Sequence, residues 1–82
     1  MAKITAFSFL KISKGHLNSV VESIKDIPQL KKLYVLTGDY DALIEFEVDD
    51  PAELFDIWVQ KLDQIEGITE TNTHIAMKKV EL

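Results

Sequence analysis

Residues Leu36 to Glu53 read LTGDYDALIEFEVDDPAE, and this stretch decides the fold. In its middle, Ala42, Ile44, Phe46 and Val48 fall on one side while Glu45 and Glu47 take the other. A period of two is what a strand with one face in a core requires, so Ala42 to Val48 reads as a strand. In front of it, Gly38, Asp39, Tyr40 and Asp41 form a Gly/Asp turn of hairpin length, which makes Lys31 to Thr37 the preceding strand. Behind it, Asp50 can cap a helix and Pro51 suits the first helical position, where no amide is needed. Glu53 stands three residues after the cap, where its carboxylate can return to the cap's amide.

Working outward, Leu54, Phe55, Trp58, Val59, Leu62 and Ile65 form the apolar face of that helix, and Gly67 stops it. ITETNTHIAMKKV, Ile68 to Val80, reads as a final strand. Upstream, ITAFSFLKI, Ile4 to Ile12, is rich in β-branched and aromatic residues and reads as the first strand. Between them Leu17, Val20, Val21, Ile24 and Ile27 recur within an arc of about 120°, an amphipathic helix that Pro28 cannot continue. The order strand, helix, strand, strand, helix, strand, with right-handed crossovers, specifies an α+β ferredoxin-like sandwich. It has a four-stranded antiparallel sheet with two helices on one face, and residues 1–82 are read as one domain.

The helices leave the other face of the sheet open. Yet in the first strand Ala6, Leu10 and Ile12 point one way, Phe7 and Phe9 point the other, and both sets are apolar. A strand apolar on both faces needs two covers. The helices supply one, and a second subunit's sheet is the simplest source of the other, at about 1.5 to 3 kcal/mol per large side chain buried. An 82-residue chain also buries only about 60% of its unfolded surface, which favours a partner. Which parity faces the helices is left open by the pattern.

Charge narrows the function. Nine basic residues against fourteen acidic give a net charge of −5, and all nine are lysines. An acidic chain without arginine lacks the phosphate-neutralising and bidentate groups that duplex recognition relies on, so no direct nucleic-acid contact is expected. The lysine pairs at 31–32 and 78–79 read as solvated surface. Absence of cysteine removes disulfides, thiol nucleophiles, Cys-based zinc sites and iron–sulfur ligation. No apolar run approaches about eighteen residues, so no membrane span is expected and the cytoplasm is the default location.

No cofactor or metal is called for either. The glycines Gly15, Gly38 and Gly67 are scattered rather than gathered into a phosphate cradle. His16 and His74 have no partner at ligand spacing, and Asp39 and Asp41 have no third ligand nearby.

The hairpin turn admits two readings. Structurally, Gly38 provides a positive φ and Asp39 or Asp41 closes an Asx-type hydrogen bond. Functionally, the same carboxylates suit an ammonium group, while the free amides and the Thr37 hydroxyl suit a carboxylate. Thr71 and Thr73, alternating on the last strand, either mark a half-exposed face or lend hydroxyls to a ligand at a subunit boundary.

The combination of Thr37, Gly38, Tyr40 and Asp41 with Gly67, Ile68, Thr71 and Thr73, an acidic residue opening the second helix and Gly15 before the first, resembles the ligand-sensing RAM domain of the Lrp/AsnC feast/famine regulators. The resemblance covers nearly the whole chain. It implies dimers formed through the sheets, with Phe7 and Phe9 as the candidate interface. It further implies assembly into octamers or decamers, and a small effector, commonly an amino acid, bound between dimers near Thr37, Gly38, Asp39, Tyr40, Asp41, Thr71 and Thr73. Full-length members carry a helix-turn-helix domain before this one. With the first strand at Ile4, a stand-alone sensing domain without helix-turn-helix is expected, acting in transcriptional regulation of metabolism and partnering a full-length regulator.

The rival class is a small dimeric enzyme of the cofactor-independent monooxygenase type, whose pocket lies between sheet and helices. Such a site should place His, Asn or Trp inward at the sheet, and His74, Asn72 and Trp58 could be arranged that way.

Overall fold

The computed structural model describes residues 3–82. Strand β1 (Ile4–Ile12) is followed by helix α1 (Leu17–Lys25), strands β2 (Leu30–Val35) and β3 (Ala42–Val48), helix α2 (Pro51–Gln60), a 3-10 turn (Leu62–Gln64) and strand β4 (Ile68–Ile75). The sheet is antiparallel throughout, in the order β2-β3-β1-β4. This is the ferredoxin-like βαββαβ arrangement.

The parity left open by the sequence resolves cleanly. Ala6, Ser8 and Leu10 of β1 and Ala42, Ile44, Phe46 and Val48 of β3 are buried. Leu10 and the four β3 residues form one core with Val20 and Ile24 of α1, Ile57 of α2 and Leu62 of the 3-10 turn. Phe7, Phe9, Glu45 and Glu47 therefore lie on the opposite face, half-buried, with no helix over them. Trp58 meets Phe46 edge-on, with ring centroids 5.5 Å apart, at the margin of the core.

The cap that announced α2 is present. Asp50 Oδ1 accepts from the Glu53 amide at 2.9 Å, and Pro51 opens the helix. Glu53 reaches back one residue further than the sequence suggests: its Oε1 accepts from the Asp49 amide at 2.7 Å, and its Oε2 from Gln29 Nε2 at 3.0 Å. One carboxylate thus joins the helix start to the α1–β2 connection.

Strand β2 starts at Leu30, one residue before the sequence reading, and four ends differ from it as well. Helix α1 ends at Lys25, and Ile27 reaches the core from the turn beyond it. Strand β2 stops at Val35, because Leu36 already donates to Asp41 O at 2.9 Å to close the hairpin loop. Strand β4 stops at Ile75 rather than Val80. Helix α2 ends at Gln60, because Lys61, at φ −120° and ψ −64°, leaves helical geometry and the chain tightens into the 3-10 turn. Its buried face is centred on Ile57, while Phe55 is 67% exposed and Val59 is also exposed.

Candidate functional site

Antiparallel pairing gathers three connections at one end of the sheet. Leu10 faces Ala42 across β1 and β3, and Ile12 faces Ile68 across β1 and β4. The β2–β3 hairpin loop, the β1–α1 loop and the approach to β4 therefore meet there. Gly67 O accepts from the Ser13 amide at 2.7 Å, which ties two of them together.

Asp41 ties in the third, and it does so with its side chain. Its amide donates to Leu10 O at 2.8 Å, one position out of the β1–β3 register in which Leu10 pairs with Ala42. Its carboxylate then accepts from the Ile12 amide at 2.7 Å, bridging the irregularity at Lys11 and Ile12. The Asx bond expected to close the turn locally is thus spent on a strand 29 residues away. A charge-assisted bond of this kind contributes about 1.5–3 kcal/mol. Asp41→Ala is accordingly expected to lower unfolding free energy by about 2 kcal/mol. Urea titration at neutral pH measures this, and a loss below about 0.5 kcal/mol, the ordinary surface value, would show the bond to be idle.

Beside that carboxylate lies a cavity of about 160 Å³, bounded by Ser13, Lys14 and Gly15 on one side and by Val35, Leu36 and Asp41 on the other. Helix α1 begins at its rim. His16 stands at the N-cap but makes no side-chain bond to the helix amides, its Nδ1 lying 3.0 Å from Ser13 Oγ instead. The positive end of a helix and Lys14 on one side, with Asp41 on the other, give the cavity the polarity of a small dipolar molecule.

The remaining turn residues divide between places. Thr37, Gly38 and Asp39 are exposed at the loop tip. Gly38 adopts φ +111°, with nothing within 4 Å of where a Cβ would stand. Tyr40 folds back across the open face of the sheet. Its ring lies 5.3 Å from Phe9, its hydroxyl donates to Glu70 Oε2 at 3.3 Å and accepts from Asn72 Nδ2 at 3.2 Å, and Lys11 Nζ sits 5.5 Å from its centroid.

Thr71 and Thr73 are on the other side of the sheet. Thr71 Oγ1 accepts from Trp58 Nε1 at 3.4 Å, and Thr73 Oγ1 lies 3.2 Å from the buried Ser8 Oγ. Within one chain the seven turn and β4 residues therefore do not converge on one point. Glu70 escaped the sequence reading and Asn72 entered it only under the enzyme reading, although alternation with the threonines marks both as sharing the opposite face. Ser13 and Lys14 carried no local signal at all.

His74 and Asn72 also stand on the open face, opposite Phe7 and Phe9, whereas Trp58 is beneath the helices. The sheet thus separates Trp58, which does face inward, from His74 and Asn72. Among the described residues, no three His, Cys, Asp or Glu side chains are grouped to hold a metal ion, and no helix is long and apolar enough to cross a membrane.

Residues 5–81 match the Lrp/AsnC ligand binding domain family. The HTH-type transcriptional regulator FL11 of Pyrococcus furiosus is 29% identical over 92% of this chain and 49% of its own. The chain spans about half the length of most curated relatives it matches, and these are named mainly as transcriptional regulators. One relative is a synthase of which it spans 15%. The solved structure of TTHA0845 from Thermus thermophilus superposes with a TM-score of 0.90 at 29% identity, covering 96% of this chain and 99% of that one. The regulator NMB0573 of Neisseria meningitidis, solved as its L-Met complex, shares the fold with a TM-score of 0.89 at 18% identity, over 96% of this chain and 53% of that one.

Proposed function

The chain belongs to the Lrp/AsnC ligand binding domain family, and from that premise we propose that it senses a small dipolar effector of the amino-acid class at the hairpin end of the sheet and passes occupancy on through assembly. The observation that carries this reading is the cavity beside Asp41, with opposite polarity at its two sides and a volume suited to a small amino acid. That the Neisseria relative was solved with L-Met supports the class of ligand. The effector's ammonium group is assigned to Asp39 or Asp41 on the hairpin side and its carboxylate to Lys14 on the other, with the Gly38 amide and the Thr37 hydroxyl at the exposed loop tip outside the cavity wall. Thr71 and Thr73 join the site from a neighbouring copy, since their own sheet separates them from the open-face part of the turn.

The open face carrying Phe7 and Phe9 is the dimer interface in this reading, with dimers associating further into octamers or decamers. The domain itself is non-catalytic and acts in the cytoplasm. With a net charge of −5 and no arginine, it leaves contact with DNA to a DNA-binding partner, such as a full-length regulator of the same family.

Calorimetry against the twenty amino acids tests the proposal, on the wild type and on Asp39→Asn and Lys14→Ala. These two exposed positions avoid the structural bond of Asp41. At least one amino acid is expected to bind, with affinity falling about tenfold in either variant as one charge-assisted contact is lost. Should none bind, or should both variants bind as the wild type does, the turn is only a connector.

A further inference from the structure

Glu45 and Glu47 raise a problem for any partner that covers the open face. They stand two residues apart on β3, half-buried, opposite Phe7 and Thr5 of β1. Neither forms an ion pair among the described residues, although Lys32 is the cross-strand neighbour of Glu45. Apolar cover over Phe7 and Phe9 is favourable, but the same cover would strip water from two carboxylates lying beside them. A desolvated, uncompensated carboxylate is strongly disfavoured.

The chain beyond β4 lies where it can answer this. The Ala76 amide donates to Thr5 O at 2.9 Å, which directs the segment along β1. Lys78 and Lys79 then border a groove of about 400 Å³ whose other walls are Glu45, Glu47 and Lys32, with Phe7 and Thr5 lining it too. Lys79 meets only Glu81, at 3.8 Å, within its own segment. Met77 and Val80, flanking the lysines, are 100% and 65% exposed. Acid and base thus face each other across one groove on the open face, next to apolar groups still lacking cover.

We propose that the segment Met77–Leu82 is the electrostatic half of a self-interface. Lys78 and Lys79 seat against Glu45 and Glu47 as a second copy of this chain closes over Phe7 and Phe9, and Met77 and Val80 supply apolar contact to that copy. This rests on the dimer reading above and adds to it the charges that make the face closable. The lysine pair that reads from sequence as plain solvated surface becomes a specificity element.

Sedimentation equilibrium in low salt tests it with charge reversal and rescue. Lys78→Glu with Lys79→Glu is expected to raise the dimer dissociation constant about tenfold or more, as is Glu45→Lys with Glu47→Lys. All four together should return it to within about threefold of wild type, because the pairing is restored with inverted sign. Lys25→Glu with Lys61→Glu, the same change in net charge outside the groove, should have little effect, and circular dichroism confirms that each variant is folded.

If the reversed variants dimerise as wild type does, or the fourfold variant is weaker than either double variant, the segment Met77–Leu82 is not part of the interface while the dimer stands. If the wild type is itself monomeric at tens of micromolar, the dimer reading falls and this inference with it.

Discussion

Gly67→Ala is expected to lower unfolding free energy by about 3 kcal/mol, the sum of two separate costs. Gly67 adopts φ +105°, a left-handed conformation that costs any L-residue with a side chain about 1–2 kcal/mol. A Cβ there would also stand 2.5 Å from His16 Cβ and 2.8 Å from its Cγ. The obstructing Cβ is fixed to the backbone, so a rotamer change gives no relief, and overpacking of this kind costs a further 1–3 kcal/mol or so.

Comparison with Gly38→Ala separates the two terms. Gly38 has a similarly positive φ, but nothing lies within 4 Å of its Cβ position, so only the first cost applies. Urea unfolding of both variants should place Gly67→Ala clearly below Gly38→Ala. Equal losses would mean that the Ser13–Gly67 junction is looser than its 2.7 Å hydrogen bond indicates.

The second large effect is on assembly. Phe9→Asp puts a carboxylate in the middle of the open face, beside the Tyr40 ring and 6.2 Å in centroid terms from where His74 now meets the phenyl edge. If a second sheet covers this face, an unpaired buried charge costs several kcal/mol, and the dimer dissociation constant should rise about a hundredfold or more. The matched control is Phe55→Asp, on the exposed side of α2, where Leu54, Trp58, Val59 and Ile75 border an apolar hollow of about 510 Å³. Light scattering at micromolar concentration reads both. Loss of dimer with Phe55→Asp and not with Phe9→Asp would move the interface from the sheet to the helix.

Much of the fold was legible because its signals are local. Alternation from Ala42 to Val48 and the Asp50–Pro51–Glu53 start each lie within one stretch of chain, and each is realised in place. The face of α2 was misjudged for an equally local reason. Leu54, Phe55, Ile57, Trp58 and Val59 spread over an arc of about 200° at 100° per residue, so more than one narrower face fits, and only the sheet's demand for Ile57 chooses between them. The break at Lys61 has no nearby glycine or proline to announce it, and it lets a 3-10 turn carry Leu62 into the core.

Of the candidate site, the turn and the β4 threonines could be named from sequence, but neither their places nor the Ser13 and Lys14 wall of the cavity could. Asp41 finds its partner on β1, Tyr40 crosses to β4, and Thr71 and Thr73 turn under the helices; each of these depends on sheet order and pleat rather than on spacing.

The Asp41 carboxylate has one further consequence, in the exchange of a single proton. It holds the Ile12 amide at 2.7 Å, and both residues line the cavity. A molecule that drew the carboxylate toward itself would slacken that amide, whereas one that packed it in place would shield it. On the proposed ligand site, the backbone NH of Ile12 would report occupancy of the turn and its sign, which isotope labelling can read without altering one side chain.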